Sequence, residues 1–569
     1  MPPPRPLTAT EPPDLDLSRP DAPESRRFGD IYHSADGGLA ESREVFLRGN
    51  GLPDRWTGRD RFVIGETGFG TGLNILLAWH LWRESGHPGR LHAVSIERYP
   101  LDADQLRSAL LRFPELEYEA RQLLAAWPGR VRGIHRLEFD RFTLDLHFRD
   151  IASALANMKA EVDAWFLDGF SPSKNPEMWS EANLARVGDL SAPDATLATF
   201  TVAGHVRRGL QAAGFAVERV PGFGRKRHRL EARRGGGKAK PARMSTRPVV
   251  VGGGIAGASV ARAFLREGVV PTVIRSPDHA RTAASANPLA MVKPRLDKQD
   301  RPESQFFLQS YLFAVRAYPE ACVTHRGIQQ IMRTEAERNR FAAIVEQGAL
   351  PSGQMRLEGD RAVFPGALVI DPVAACEAFL EGADVVEAHV DAVNRTEGKW
   401  SLAADGGPVA EGTHLVVASG LDAKTRFPDL ELRASRGQLT WAETGVDTPL
   451  AYGGYALPSG SRTLLGATHE RVVENPYRLE ADDDVKNAAK LDEATGRVAR
   501  GLSPARASVR VTTANTLPLV LDRGDGLHVL TGLGSRGFTH APLLGAEVAS
   551  RVLGLPRPLA VDQAETFSR

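Results

Sequence analysis

Along residues 62–233, apolar and polar positions switch between two periods. FVIGE (Phe62–Glu66), LHAVSIE (Leu91–Glu97), AWFLD (Ala164–Asp168) and TLATFT (Thr196–Thr201) are short, almost continuously apolar runs, the pattern of buried strands. Leu73–Glu84, Asp102–Leu111 and Val202–Ala213 carry helical spacing between or after them. The alternation predicts a parallel, doubly wound α/β sheet, with FAVERV and RLEAR as an antiparallel closing pair. The second half opens on a strand–glycine turn–helix–strand unit, PVVVGGG to TVIRS. It has a mixed middle and ends on strand, loop and helix in Leu527–Leu553. This predicts a second Rossmann-type nucleotide-binding layer, interrupted by an inserted mixed or antiparallel sheet that covers a substrate. RRGGGKAKPARMSTRP (Arg233–Pro248), glycine- and proline-rich with few large apolar residues, reads as the seam. The expected division is a disordered tail over 1–27, a first domain over 28–232, a basic linker over 233–246 and a second domain over 247–569.

Composition narrows the picture. A net charge of +1 over 569 residues gives no whole-molecule attraction to nucleic acid or membrane. The only two cysteines, Cys322 and Cys376, are far apart, which suits a reducing compartment and excludes a disulfide framework or cysteine metal site. No apolar run is long enough to cross a membrane, and the proline-rich, acidic N-terminus lacks a signal-peptide core. A cytoplasmic, metal-free monomer is expected.

The first glycine loop, IGETGFGTGLN (Ile64–Asn74), places Gly68, Gly70 and Gly72 directly after a strand, where missing side chains let backbone amides approach a ligand. Glu97 ends the next strand, where an acid can accept ribose hydroxyls. There is no GK[ST] and no clean GxGxxG, so a nucleoside ligand such as S-adenosylmethionine fits better than a nucleotide triphosphate or dinucleotide. A tight turn with surface acids is the alternative. Asp150, ending FRD, is a candidate for the adenine amine. In DGFSPSKNPEMW (Asp168–Trp179), Asp168 sits at a strand end, where doubly wound folds keep their chemistry. It can orient an amine and take its proton. Phe170 and Trp179 fit either a dry wall or the core.

IGETGFGTGLN, DGFSPSKNPEMW, FTVAGHVRRGLQAAGF, GFGRKR and YHSADGGLAESREVFLRGN together resemble the methyltransferase half of the MnmC family of bifunctional tRNA wobble-uridine modification proteins. The resemblance spans Tyr32–Arg227. It implies methyl transfer from S-adenosylmethionine to the exocyclic amine of 5-aminomethyl-(2-thio)uridine in tRNA. Glu66, Gly68, Gly70, Gly72, Asn74, Glu97 and Asp150 would then serve the methyl donor, with Asp168 catalytic. Phe170, Lys174, Asn175, Trp179, Arg207, Arg208, Arg225, Lys226 and Arg227 would serve the tRNA. Ten Lys/Arg residues and one acid, Glu231, lie between Arg225 and Arg247, a run that suits phosphate contacts or a solvated linker.

In the second half, Gly252, Gly254 and Gly257 form GxGxxG between a strand and a helix, the context a dinucleotide fingerprint requires. The usual ribose acid is missing: Arg275 ends the second strand, and Asp278 lies slightly beyond. Two further segments favour a flavin. THLVVASG (Thr413–Gly420) is a buried-type strand ending in small residues, and GLGSRG (Gly532–Gly537) leads straight into a helix whose N-terminus can face a negative group. VVGGGIAGASVA, ASANPLAMVKPRLD, VVASG and GLGSRGFTHAPLLGAEVA resemble D-amino-acid-oxidase-type FAD enzymes, and specifically the FAD half of the same family, over about 247–555.

That resemblance implies FAD bound by Gly252, Gly254, Gly257, Ser419, Gly420, Gly532, Gly534, Ser535, Arg536 and Gly537. It also implies oxidative removal of the carboxymethyl group from 5-carboxymethylaminomethyl-uridine, leaving a primary amine that the first half methylates. In this reading Arg510 holds the carboxylate bidentately and Tyr455 closes the pocket; an ordinary ion pair is the alternative for Arg510. Two other functions stay open at this point: a free amine oxidase fused to a small-molecule methyltransferase, and a non-catalytic RNA-binding scaffold.

Overall fold

The strands expected in the first half pair into one eight-stranded sheet in the computed structural model, which describes residues 5–16, 18, 23–32, 37–224, 226–235, 246–351, 353–471 and 475–568. The strands are β1 (Arg61–Glu66), β2 (Arg90–Ile96), β3 (Gly133–Phe139), β4 (Phe142–Phe148), β5 (Val162–Phe166), β6 (Ser191–Thr199), β7 (Phe215–Pro221) and β8 (His228–Arg234). Their order is β7-β8-β6-β5-β1-β2-β4-β3. The central pairings from β6 to β4 are parallel, while β8 and β3 run antiparallel to their neighbours. Helices α1 (Leu73–Glu84), α2 (Ala103–Leu110) and α3 (Gly204–Ala212) follow β1, β2 and β6. One face of the sheet buries Trp56, Trp79 and Trp82; the other buries Trp165, Trp179 and Leu210. Apolar burial on both faces is why these strands read as continuous runs rather than alternating ones.

The β3–β4 hairpin was not among the expected strands. Arg136 and Asp145 face each other across it in a fully buried pair, Nε to Oδ1 at 2.8 Å and Nη2 to Oδ2 at 2.7 Å. These charged residues interrupt the apolar signal that marks a buried strand.

The tail expected to be disordered is corrected where it is described. Leu15–Asp16 pairs with Glu24–Ser25, which pairs with Asp30–Ile31, and Thr10 N donates to the Arg130 carbonyl. Leu7 is buried and its N–H donates to the Lys298 carbonyl. The expected boundaries shift accordingly. The chain forms two compact units, in which the segment through Leu7 belongs with the second half and Gly554–Asp562 with the first. Each segment carries apolar side chains that become buried, Leu7 in one case and Leu555 and Leu559 in the other. The linker is shorter than expected, because β8 continues to Arg234; residues 236–245 lie outside the described residues.

In the second unit, β9 (Pro248–Val251), β10 (Thr272–Arg275), β11 (Asp384–Glu387), β12 (His414–Val417), β13 (Leu519–Asp522) and β14 (Leu527–Thr531) form a sheet ordered β11-β10-β9-β12-β14-β13. Only β13 is antiparallel. Helix α4 (Ile255–Arg266) follows β9, and α6 (Gly537–Leu553) follows β14. A ten-stranded mixed sheet interrupts this layer, built around the long antiparallel pair Leu432–Glu443 and Arg500–Thr513 with α5 (Ala481–Thr495) between them in sequence. Among the described residues no helix is long and apolar enough to cross a membrane.

Candidate active sites

A cavity of about 880 Å3 opens beyond the carboxyl ends of β1, β2 and β5. Gly68, Gly70, Asn74, Glu97, Asp168, Phe170, Asn175 and Lys226 line it. Gly68 is there because its neighbours leave no room: a Cβ would lie 3.1 Å from the Asp168 carbonyl oxygen and 3.3 Å from Gly169 Cα. The two functional loops are therefore in direct backbone contact.

Behind that contact lies a buried polar chain. Asn74 Nδ2 donates to Glu66 Oε1 at 3.1 Å and to Asp168 Oδ2 at 2.8 Å, while its own carbonyl oxygen accepts from Ser42 Oγ at 2.6 Å. Ser95 Oγ donates to Glu66 Oε2 at 2.5 Å. Burial holds the Glu66 acid well above the usual carboxylate range. Burial also pushes Asp168 up to about 6, against the stabilising N–H groups of Gly169 and Asn74. Asp168 is thus ionised at neutral pH yet more basic than an exposed aspartate. Glu97, in the cavity lining, accepts from the N–H groups of Gly70 and Tyr99, both at 2.8 Å. Burial outweighs these bonds and raises its pKa.

The aromatic pair of DGFSPSKNPEMW divides between the two roles left open. Phe170 lines the cavity, stacked on Phe28 at 4.6 Å and edge-on to Tyr32 at 5.3 Å. Trp179 is core, supporting the wall by donating from Nε1 to the Phe170 carbonyl at 3.0 Å. Lys174 is exposed and tied to Asp30 at 3.2 Å and to the Gly29 carbonyl. Lys226 sits over the Phe200 ring at 4.0 Å and pairs with Glu41 at 3.4 Å. Arg207, Arg208 and Arg227 are exposed off the cavity, and Arg225 lies outside the described residues. Asp150, expected at the adenine, instead caps the helix Ile151–Asn157 by accepting from Ser153 N at 2.9 Å; its neighbours Arg149 and Ile151 line the cavity and it does not. Phe28, Tyr32, Glu41 and Ser42 were not singled out as site residues. The last three belong to the stretch YHSADGGLAES, whose glycine pair follows no apolar strand-like run and which has no strand-end acid to mark them.

The second unit has a cavity of about 1230 Å3. Gly252, Gly254, Ser419, Gly420, Tyr455, Arg510, Gly532, Gly534, Ser535, Arg536 and Gly537 all line it. Gly257 does not. It sits inside α4, where a Cβ would overlap the Gly252 carbonyl and approach Val250 Cγ1 to 3.3 Å, the close strand–helix packing the third glycine permits. The lining fits a flavin dinucleotide. Two helix N-termini open onto it, α4 behind Gly254 and α6 at Gly537. The buried Ser419 Oγ and Asn287 Oδ1, on residues that line the cavity, have no hydrogen-bond partner among the described residues. Arg275 turns away from it onto Glu377 at 2.6 Å and Glu387 at 3.0 Å, and Asp278 faces His389 and Arg281, so neither stands in for a ribose acid. Arg510 makes no ion pair among the described residues and lies beside Tyr455, whose phenol is pushed up to about 12 by burial. Sequence reasoning missed Lys293, a buried lysine in this lining whose ammonium burial pushes down to about 7, and Lys490.

Comparison with known proteins gives the same two parts in the same order. An S-adenosyl-L-methionine-dependent methyltransferase family model matches residues 114–235, and an FAD dependent oxidoreductase model matches 248–551. The tRNA 5-methylaminomethyl-2-thiouridine biosynthesis bifunctional protein MnmC of Caulobacter sp. (strain K31) is 42% identical over 571 residues, covering 94% of each chain. The protein of that name from Maricaulis maris (strain MCS10) is 40% identical, covering 96% of this chain and 93% of its own. Among solved structures, iminodiacetate oxidase from Chelativorans sp. BNC1 is 22% identical with a TM-score of 0.48, covering 57% of this chain and 98% of its own. With 40–42% identity to these relatives over nearly the whole length, the chain belongs to the MnmC family of bifunctional proteins.

Proposed function

We propose that this protein carries out two consecutive reactions on the wobble uridine of tRNA in the cytoplasm. The first oxidatively removes the carboxymethyl group of 5-carboxymethylaminomethyl-(2-thio)uridine. The second methylates the exposed primary amine to give the 5-methylaminomethyl form. The observation that carries this reading is the pairing of chemistries on one chain: Arg510, a cation with no ion pair among the described residues, faces one cavity, and Asp168, a proton acceptor, faces the other.

FAD bound in the larger cavity supplies the two-electron oxidation. Arg510 grips the substrate carboxylate through paired N–H donors, which fixes the adjacent methylene for loss of hydride. Tyr455 stays protonated and closes the pocket as a hydrogen-bond donor. The resulting substrate iminium adds water and splits to the primary amine and glyoxylate.

In the first unit, S-adenosylmethionine supplies the methyl group. Glu97, anchored by Gly70 and Tyr99, accepts ribose hydroxyls. Asn74 locks the Asp168 carboxylate in place, so that it orients the incoming amine and takes its proton; a protonated amine has no lone pair to attack with. The Phe28–Tyr32–Phe170 wall excludes water from the attack line. Arg207, Arg208 and Arg227 outside the pocket, with Lys226 in its lining, supply positive charge for the RNA backbone. The wobble base leaves its stack cheaply in a single-stranded anticodon loop.

A direct test follows both by-products on one sample of protein. One glyoxylate released per tRNA, with labelled methyl uptake only into tRNA that has shed its carboxymethyl group, is expected. Oxidation of free sarcosine or glycine with no action on tRNA would point to the amine-oxidase alternative.

A further inference from the structure

Helix α5 is fixed to the inserted sheet by a buried polar network. Arg436 pairs with Asp483, and Gln438 Nε2 and Thr440 Oγ1 donate to Asp484 Oδ1 at 2.9 and 2.6 Å. Asn487 Nδ2 donates to the Gln438 carbonyl and to Thr440 Oγ1, both at 3.0 Å. Every one of these groups is buried. These cross-links hold the helix in one position, although Asn487 Oδ1 finds no hydrogen-bond partner among the described residues. Lys490 is one turn further along this helix and projects into the flavin-type cavity.

Three side chains converge there on the short segment Gly466–Thr468. Lys490 Nζ donates to the Ala467 carbonyl at 2.9 Å. The Arg510 guanidinium and the Thr468 carbonyl oxygen both border the position a Cβ on Gly437 would take, at 3.1 Å from Cζ and 2.7 Å from the oxygen. The Tyr455 hydroxyl reaches Gly466, where a Cβ would come within 2.8 Å of it. Arg510 has no ion pair among the described residues. Lys490 spends one of its three N–H bonds on a neutral carbonyl, whereas its neighbour Lys486 is matched by Glu470 and Asp483. Burial and the Arg510 charge lower the Lys490 pKa, and the Asp483 charge offsets this only in part, so the two cations feel each other. Like charges held together in a partly dry cavity are favourable only when an anion joins them.

We infer that Lys490 is a second carboxylate-binding residue of the oxidase cavity, forming with Arg510 a two-cation clamp that selects carboxymethylated amines over uncharged ones. The inference rests on the oxidase reading above and assigns a specificity residue to that site. Arg510 supplies the planar, bidentate contact; Lys490 supplies a compact charge from the opposite element, so one carboxylate is held from two sides.

The probe is methoxyacetate, which has the carboxymethyl group but no amine hydrogen. Its binding to FAD-loaded protein is read as a change in flavin absorbance, with methoxyacetamide as the uncharged control. Lys490→Gln removes the charge and retains an N–H donor on a side chain one atom shorter. It is expected to weaken methoxyacetate about tenfold to a hundredfold, leave methoxyacetamide unchanged, and raise KM for carboxymethylated tRNA far more than it lowers kcat. Lys490→Arg should recover most of the affinity. Methoxyacetate binding within twofold of the parent protein would overturn the inference. An equal loss of affinity for tRNA lacking the carboxymethyl group would also overturn it, placing Lys490 on the phosphate backbone instead. Parent protein that binds methoxyacetate but releases no glyoxylate from carboxymethylated tRNA would defeat the oxidase reading and leave the clamp standing.

Discussion

Replacing Gly257 by alanine tests the dinucleotide turn at its tightest point. The added Cβ would lie 2.9 Å from the Gly252 carbonyl carbon, closer still to its oxygen, and 3.3 Å from Val250 Cγ1. Two of these three atoms are backbone of the turn itself, so no side chain can swing aside. Helix α4 must instead back away from β9, carrying its N-terminus off the pyrophosphate position. Overpacking of this kind costs about 1–3 kcal/mol, and at about 1.4 kcal/mol per factor of ten that weakens FAD about fivefold to a hundredfold. The assay is FAD titration of apoprotein by flavin fluorescence quenching, together with the flavin content of freshly purified protein. Gly353→Ala is the control, because that glycine is exposed in the same unit and a Cβ there meets nothing within 4 Å. Methyl transfer to tRNA already carrying the primary amine should be unchanged. FAD affinity for Gly257→Ala equal to that of Gly353→Ala would refute the packing argument.

Asp168→Asn should lower methyl transfer by about 10²–10⁴ in kcat, the usual contribution of a positioned base, while glyoxylate release continues. Because Asp168 must be ionised to accept a proton and burial raises its pKa, the methylation rate should climb with pH through about 6 and level above it; an exposed aspartate would put that limb near 4. Arg510→Lys keeps the charge but loses the bidentate fork, and kcat/KM for decarboxymethylation should fall about 30-fold to 100-fold, with methylation intact. Arg207→Ala with Arg208→Ala should flatten the salt dependence of tRNA binding by about one unit of log–log slope for each phosphate no longer neutralised, leaving S-adenosylmethionine affinity alone.

Features that depend on missing side chains were legible in the sequence. Gly68, Gly252 and Gly257 stand where loops or helices touch backbone to backbone, and that need shows directly as glycine at fixed spacing. Asp168 and Glu97 could be read because a strand's carboxyl end is a defined place in a doubly wound sheet. Features that depend on which way a side chain faces were not legible. Phe170 and Trp179 share one loop, and only packing separates wall from core. Asp150 has the composition of a ligand contact and the geometry of a helix cap. The β3–β4 hairpin was hidden by its buried Arg136–Asp145 pair, and the N-terminal strands by residues that find partners far along the chain. Lys490 lies on a helix whose sequence is mostly acidic and polar, so nothing local distinguishes it from a solvated lysine.

Nucleoside mass spectrometry tests the central claim most directly, on tRNA that carries the carboxymethyl group and has been incubated with the FAD-loaded protein. Without S-adenosylmethionine the aminomethyl nucleoside should accumulate; with it, the methylaminomethyl nucleoside should replace it. Carboxymethyl nucleoside persisting under both conditions, or a methylated product formed while the carboxymethyl group is still attached, would contradict two reactions in sequence on one base.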